Sequence, residues 1–208
     1  MPDIYLASAS PRRRTLLEQI GIDYRLLDVS VPEIPAASES AEQFARRLSL
    51  AKASAGAALL TDQQRRPVLG ADTVVVIDGK ILGKPCDRSD GLHMLELLSG
   101  RTHEVLSAVS IVAAELHTTL SRSSVTFRHT SAAERAAYWD SGEPVGKAGA
   151  YAIQGTAALF ISHISGSYSG IMGLPLFETA QLLAHAGVDA LTCAWAVTTR
   201  LAPHADNE

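Results

Sequence analysis

One carboxylate, Asp72, is the sole charged group in the run VLGADTVVVI from Val68 to Ile77. A carboxylate among so many apolar neighbours is costly unless it is paired, hydrogen-bonded or bound to a metal. Two readings follow. Asp72 can pair with a buried arginine or cap a neighbouring helix; alternatively it can ligate Mg2+ or act as a general base on water. A second unusual segment is SPRRRTLLEQIG, which opens at Ser10. The start of a helix already carries partial positive charge and unpaired N–H groups, which favour acids rather than three arginines. Either Arg12, Arg13 and Arg14 are solvated or paired elsewhere, or the turn receives an anion such as phosphate, which accepts backbone N–H and bidentate guanidinium bonds together.

Further candidates lie in turns. Lys84 in LGKP and Lys147 in VGKAG stand beside glycines, where a backbone can approach a ligand closely, and Lys52 falls within a helical segment. Glu33 and Glu143 each neighbour a proline in a loop. Gln154, in AYAIQG, carries a donor and an acceptor next to a glycine and can read the edge of a base. Several familiar arrangements are absent. GEPVGKA is one residue short of a P-loop and has Ala after its lysine, and there is no G-x-G-x-x-G, G-x-S-x-G or H-E-x-x-H.

The elements that must hold these residues follow from periodicity. DIYLASAS reads as a buried strand leading into a helix that Ser10 can cap, with Pro11 at its first position, Leu16, Leu17 and Ile20 on one face, and Gly21 at its end. YRLLDVS reads as the next strand. Ser40 and Gln43 form a capping box before a helix of about five turns, with Phe44, Leu48, Ala51, Ala55 and Leu59 on one stripe. The run ending at Ile77 turns at Asp78-Gly79 into a short strand. SDGLHMLELLSG reads as a helix, and RTHEVLSAVSIVAAE with TLSRSSVTFRH as paired strands. Ser131 and Glu134 cap a further helix. TAALFISHI reads as a strand, SGSYSGIMGLPL as a loop, Pro175 and Gly187 as the brackets of a helix, and ALTCAWAVTT as a last strand. These elements predict a mixed α/β fold, a central sheet with flanking helices, in two lobes.

Composition narrows the partners. The chain has 208 residues, 47% hydrophobic and 19% charged, with a net charge of −4, which suits a small ligand better than nucleic acid or an anionic membrane. No apolar run approaches the roughly 20 residues of a membrane span. The N-terminus shows no basic region followed by an apolar stretch, so a cytoplasmic protein is expected. Cys86 and Cys193 form no metal-ligand spacing and read as free structural thiols.

The segments LASASPRR, GADTVVVIDGKILGKP, SGRTHEV, DSGEPVGKAGAYAIQG and SGSYSGIMGLPL resemble, in order and spacing, the Maf family of nucleoside triphosphate pyrophosphatases, from about residue 3 to residue 186. The resemblance implies a single domain over 1–208 with a frayed tail from about 202. It implies a cleft between two lobes, related to the inosine triphosphate pyrophosphatase fold, and hydrolysis of a nucleoside triphosphate to monophosphate and pyrophosphate. Ser8, Ser10, Arg12 and Arg13 match the Ser-x-Ser-Pro-Arg-Arg motif that grips the triphosphate, and Arg14 falls outside it. Glu33, Lys52, Asp72 and Lys84 fall where the family keeps its catalytic groups, with Asp72 as proton acceptor. Arg12, Thr73 and Gln154 match positions that distinguish the dTTP/UTP branch, and Glu143 and Lys147 share a motif with Gln154. Mg2+ or Mn2+, held by Asp72 and Glu33, and a homodimer are implied as well. A 7-methyl-GTP or other modified-nucleotide pyrophosphatase, and a non-catalytic nucleotide-binding regulator of cell division, are the alternative readings.

Overall fold

The computed structural model describes residues 2–201, with side chains described as far as residue 195. Its strands are β1 (Ile4–Leu6), β2 (Tyr24–Leu26), β3 (Val68–Ile77), β4 (Lys80–Leu82), β5 (Thr102–Val112), β6 (Leu116–Phe127) and β7 (Ile161–Ser165). Its α-helices are α1 (Pro11–Gln19), α2 (Ala41–Ala57), α3 (Arg88–Leu98), α4 (Ala132–Asp140), α5 (Tyr168–Met172), α6 (Leu176–His185) and α7 (Ala190–Leu201). All seven strands join one sheet in the order β2-β1-β3-β5-β6-β7, with β4 paired to β3. β1 is parallel to β2 and β3; the remaining pairs are antiparallel. The fold is therefore the mixed α/β arrangement expected.

Register decides where a cleft can open. β1 pairs with β3 only as far as Leu6 opposite Leu69, and β4 joins the same side of β3 only from Val75 opposite Leu82. Between these partners the stretch 70–74 has no strand beside it on that side. Asp72 and Thr73 stand in the middle of this gap. Successive side chains of a strand point to opposite faces, so Asp72 faces α2 and Thr73 faces α1 and α5, yet both border the gap. On the other side β5 supports the stretch throughout, with Asp72 opposite Ala108 and Thr73 opposite Ser107.

Apolar packing holds the two ends of the gap. Phe44 and Leu48 of α2 cover Val74, Val76 and Leu106. On the opposite face Leu16 and Leu17 of α1 and Leu182 and Leu183 of α6 pack with Leu69 and Val109. Beyond the gap, Val75, Leu95, Leu98, Phe127 and Phe160 form another core under α3 and α4. The hairpin turn is formed as read, with Asp78 and Gly79 both at positive φ (51° and 72°), as a two-residue turn of this hand requires. The capping boxes of α2 and α4 are both present.

Several elements differ from the sequence expectation. ALTCAWAVTT is helical, within α7: Asp189 accepts from Leu191 N and Thr192 Oγ1 at its start, a cap hidden by the β-branched content that follows. α7 lies against the end of α1 so closely that a Cβ on Gly21 would stand 2.7 Å from Ala194 Cα. TAALFISHI begins as a 3-10 turn, Thr156–Leu159, and only Ile161–Ser165 is extended. The second strand is confined to Tyr24–Leu26, and SGSYSGIMGLPL contains the short helix α5. On α2 the buried face runs through Phe44, Ala45, Leu48, Ser49, Ala53 and Gly56; Ala51 and Ala55 are half-buried, and Leu59 lies past the helix end and is exposed. Ser10 occupies the N-cap of α1, but its side chain makes no capping bond. The tail from about 202 lies outside the described residues. Among the described residues no helix is long and apolar enough to cross a membrane.

Candidate active site

The gap beside β3 opens into a cleft of about 660 Å3. Gly70 determines how its floor is built. A Cβ there would stand 2.4 Å from Ser49 O and 2.5 Å from Ala53 N, so only glycine lets the backbone of α2 rest on the strand. That close approach brings Lys52, one helical turn along from Ser49, over Asp72, two residues along from Gly70. Lys52 Nζ lies 2.7 Å from Asp72 Oδ1 and 2.6 Å from Glu33 Oε1, and Lys84 Nζ lies 2.8 Å from Glu33 Oε2. The result is an alternating row, Asp72, Lys52, Glu33, Lys84, leading from the buried floor to an exposed rim.

The row answers the question of charge on β3. Asp72 is 7% exposed, and its expense is met by an ammonium rather than by a buried arginine alone. Its second oxygen, Oδ2, makes no hydrogen bond to the described residues, and Asp72 borders a cleft that can hold water. Burial pushes the Glu33 carboxyl up, but hydrogen bonds and charge from Lys52 and Lys84 outweigh it and hold the group down at about 2. Glu33 is thus ionised throughout the ordinary pH range.

The arginine turn divides its labour. Arg12 Nε donates to Met172 O at 3.0 Å, and its half-buried side chain borders the cleft. Arg13 is buried and committed within the protein: Nε donates to Gly173 O (2.8 Å), Nη1 to Ser8 Oγ (3.0 Å) and Nη2 to Thr73 Oγ1 (3.4 Å). Burial draws the Arg13 pKa down, and the charge of Asp72 opposes that shift. Ser107 Oγ donates its hydrogen to Gly170 O at 2.6 Å, so Thr73, 2.9 Å away, donates to Ser107. A directional chain therefore runs from Arg13 through Thr73 and Ser107 to α5 and fixes the hydroxyl of Thr73. Ser8 and Ser10 border the cleft on the loop after β1, and Ser10 N donates to Ser8 Oγ. Arg14 does not border it.

Across the cleft stand Lys84, Lys147 and Gln154. Lys147 Nζ donates to Val145 O, and burial together with the charge of Arg12 lowers its pKa. Its segment is joined to the Lys84 loop by Gly149 N donating to Gly83 O, with Gly149 and Ala150 both at positive φ. Glu143 does not border the cleft; its carboxylate turns toward Tyr138 and the amides of Thr156 and Ala157. The sequence-predicted residues thus converge with the exception of Glu143. The brace through Ser107 has one sequence signal, a serine in the apolar run EVLSAVSIV, whereas the carbonyls of Gly170, Met172 and Gly173 have none. Cys86 is exposed and Cys193 half-buried, and both are free.

Five cations, Arg12, Arg13, Lys52, Lys84 and Lys147, and two carboxylates, Glu33 and Asp72, border the cleft of a chain whose net charge is −4. Such local excess suits a polyanion held by several groups. Among the described residues no three His, Cys, Asp or Glu side chains gather as a metal cage. Asp72 and Glu33, on either side of Lys52 Nζ, both border the cleft, and one or two carboxylates are the protein share that Mg2+ takes when substrate phosphates and waters complete its shell, so the donor set fits an ion that arrives with a phosphate.

A family model described as Maf-like protein matches residues 3–186. A protein of Alkalilimnicola ehrlichii named dTTP/UTP pyrophosphatase is 54% identical over 191 residues, covering 90% of this chain and 95% of that protein. Proteins of the same name from Bordetella avium and Xanthomonas campestris are 51% and 52% identical, covering 90% and 86% of this chain and 96% of each relative. Among solved structures, a nucleoside-triphosphatase / dITP/XTP pyrophosphatase of Mycobacterium abscessus superposes with a TM-score of 0.38 at 19% identity, over 60% of this chain and 73% of that one. The Ham1 protein of Staphylococcus aureus gives 0.40 at 14%, over 60% and 70%.

Proposed function

This chain belongs to the Maf-like protein family, and on that premise we propose that it hydrolyses dTTP and UTP to the monophosphate and pyrophosphate, as a house-cleaning enzyme of the nucleotide pool. The observation that carries this reading is the ion-paired row Asp72, Lys52, Glu33, Lys84 beneath the arginine turn. It combines a carboxylate in contact with an ammonium and cations spaced along the cleft as a polyanion requires. The triphosphate lies against Arg12, Lys84 and Lys147, while Arg13 acts from behind by fixing Ser8, Thr73 and the α5 end.

Water attacks the α-phosphorus, and its proton passes to Asp72, whose free Oδ2 is the available acceptor. Lys52, 2.7 Å from Asp72 Oδ1, holds that carboxylate in place and offsets the charge gathering on the α-phosphate oxygens during attack. Lys84 and Arg12 stabilise the departing pyrophosphate. A divalent ion, Mg2+ or Mn2+, would be held by Asp72 and Glu33 and, when bound, would neutralise phosphate charge. Gln154 supplies donor and acceptor to the base.

Asp72→Asn tests the assignment, because it preserves shape and removes the base. The variant is expected to fold and bind nucleotide but to lose at least about 100-fold in kcat, the lower range for a positioned general base. Near-wild-type kcat would remove Asp72 from the chemistry.

A further inference from the structure

Gln154 borders the cleft as the exposed residue of a turn whose Ala152 and Ile153 are buried, and its side chain makes no hydrogen bond to the described residues. Its position is therefore set through its backbone. The turn is closed by Gly155 N donating to Ala152 O at 3.0 Å and is held from outside at both ends. On one side Ala152 N donates to Tyr138 Oη at 3.1 Å. On the other, Thr156 N donates to Glu143 Oε2 at 2.9 Å and Ala157 N to Glu143 Oε1 at 3.3 Å. Tyr138 Oη in turn donates to Glu143 Oε1 at 2.7 Å, which joins the two holds into one. A Cβ on Gly155 would stand 2.3–2.4 Å from the Glu143 carboxylate, so glycine there is what lets the carboxylate reach the amides.

We propose that Tyr138 and Glu143 are positioning residues for nucleobase selection: they touch no substrate and act by fixing the backbone from which Gln154 reads the pyrimidine edge. The inference rests on the reading of Gln154 as the base-reading group. Recognition of a hydrogen-bonding edge requires the amide to be held to within about 0.5 Å. Tyr138 itself is locked, 3% exposed and edge-on to Phe160, so the hold is anchored in the core under α4. Removing its hydroxyl frees Glu143 on one side and leaves the buried N–H of Ala152 without an acceptor. The turn then moves to find another partner, and Gln154 moves with it. The catalytic pair Asp72 and Lys52, on β3 and α2, shares none of these bonds.

The test is steady-state pyrophosphate release from dTTP and dCTP with Mg2+ by wild type, Tyr138→Phe, Gln154→Ala and the double variant, with melting temperatures recorded. Tyr138→Phe is expected to lower the dTTP-over-dCTP ratio of kcat/KM about tenfold, as for one buried hydrogen bond lost, through KM. Its kcat on dTTP should stay within about twofold, since the chemical groups are untouched. In the Gln154→Ala background the same change should leave the ratio where it is. An unchanged ratio beside a lowered melting temperature would reduce the pair to a structural role, and an additive loss in the double variant would disconnect it from Gln154. Should Tyr138→Phe fail to fold, Glu143→Gln, which sets an amide donor against amide donors, is expected to lower the same ratio, and a retained ratio overturns the proposal. A wild type that cleaves both nucleotides alike would sink the reading of Gln154 and this inference together. A selective wild type whose selectivity is lost in Gln154→Ala but kept in Tyr138→Phe would sink this inference alone.

Discussion

Replacing Lys52 by methionine removes one ammonium and little volume, and the structure allows its cost to be worked out. The Lys52 side chain is 12% exposed and that of Asp72 10%, with Nζ and Oδ1 2.7 Å apart. At an effective dielectric of about 20, the gross attraction is about 6 kcal/mol, most of it offset by desolvation of the two ions. In Lys52→Met the attraction goes while the desolvation of Asp72 stays, an imbalance measured elsewhere at about 3–5 kcal/mol. Arg13, whose charge Asp72 also feels, remains nearby and places the expectation at the lower end, about 3 kcal/mol. Urea unfolding at pH 7.5 followed by circular dichroism should therefore show a midpoint about 1 M below wild type, for a slope of about 2–3 kcal/mol per M. Adding Asp72→Asn should recover part of the loss, because the buried pair is then neutral while Glu33, 39% exposed, keeps Lys84 as its partner. A Lys52→Met loss below about 1 kcal/mol, or a double variant no better than the single, would refute the argument that Lys52 is what makes Asp72 tolerable on β3.

Gly70→Ala should destabilise the protein by about 1–3 kcal/mol and lower kcat, since its Cβ would meet backbone atoms of α2 and lift Lys52 from Asp72; an alanine variant with wild-type melting temperature and turnover would contradict that packing. His103 is buried and neutral, with its pKa held down to about 4 by burial. The unfolded chain takes up this proton below about pH 6.5 and the folded chain only near 4, so stability should fall by up to about 3 kcal/mol as the pH drops between those values. His103→Phe should flatten that part of the stability-against-pH curve, and an unaltered slope would assign it to other groups.

The sequence announced the chemistry of the site better than its support. Asp72 was conspicuous because charge in a doubly buried strand is expensive, and the arginine turn because it offends the helix dipole. The capping boxes, the Asp78-Gly79 turn and the amphipathic helices were legible since their signals are local. What escaped depends on distant partners. Arg13 turns inward because the carbonyl of Gly173 and the hydroxyls of Ser8 and Thr73 await it, and nothing within SPRRR says so. Glu143 reads as one more loop carboxylate until Tyr138 and two amides are seen around it. ALTCAWAVTT reads as a strand because of its β-branched content, while the Asp189 cap of α7 and its packing on Gly21 appear only in three dimensions. The gap beside β3 could not be read at all, because it follows from where β1 stops and β4 starts against a third strand.

On the proposed function, this cleft cuts a pyrimidine nucleoside triphosphate between its α- and β-phosphates. The most direct measurement is incubation of the purified protein with dTTP, UTP, CTP, GTP and 7-methyl-GTP in the presence of Mg2+, separating pyrophosphate from orthophosphate. Pyrophosphate in equal amount to monophosphate, released fastest from dTTP and UTP, is the predicted result. Orthophosphate as the first product, release chiefly from 7-methyl-GTP, or binding of nucleotide without any release would contradict it.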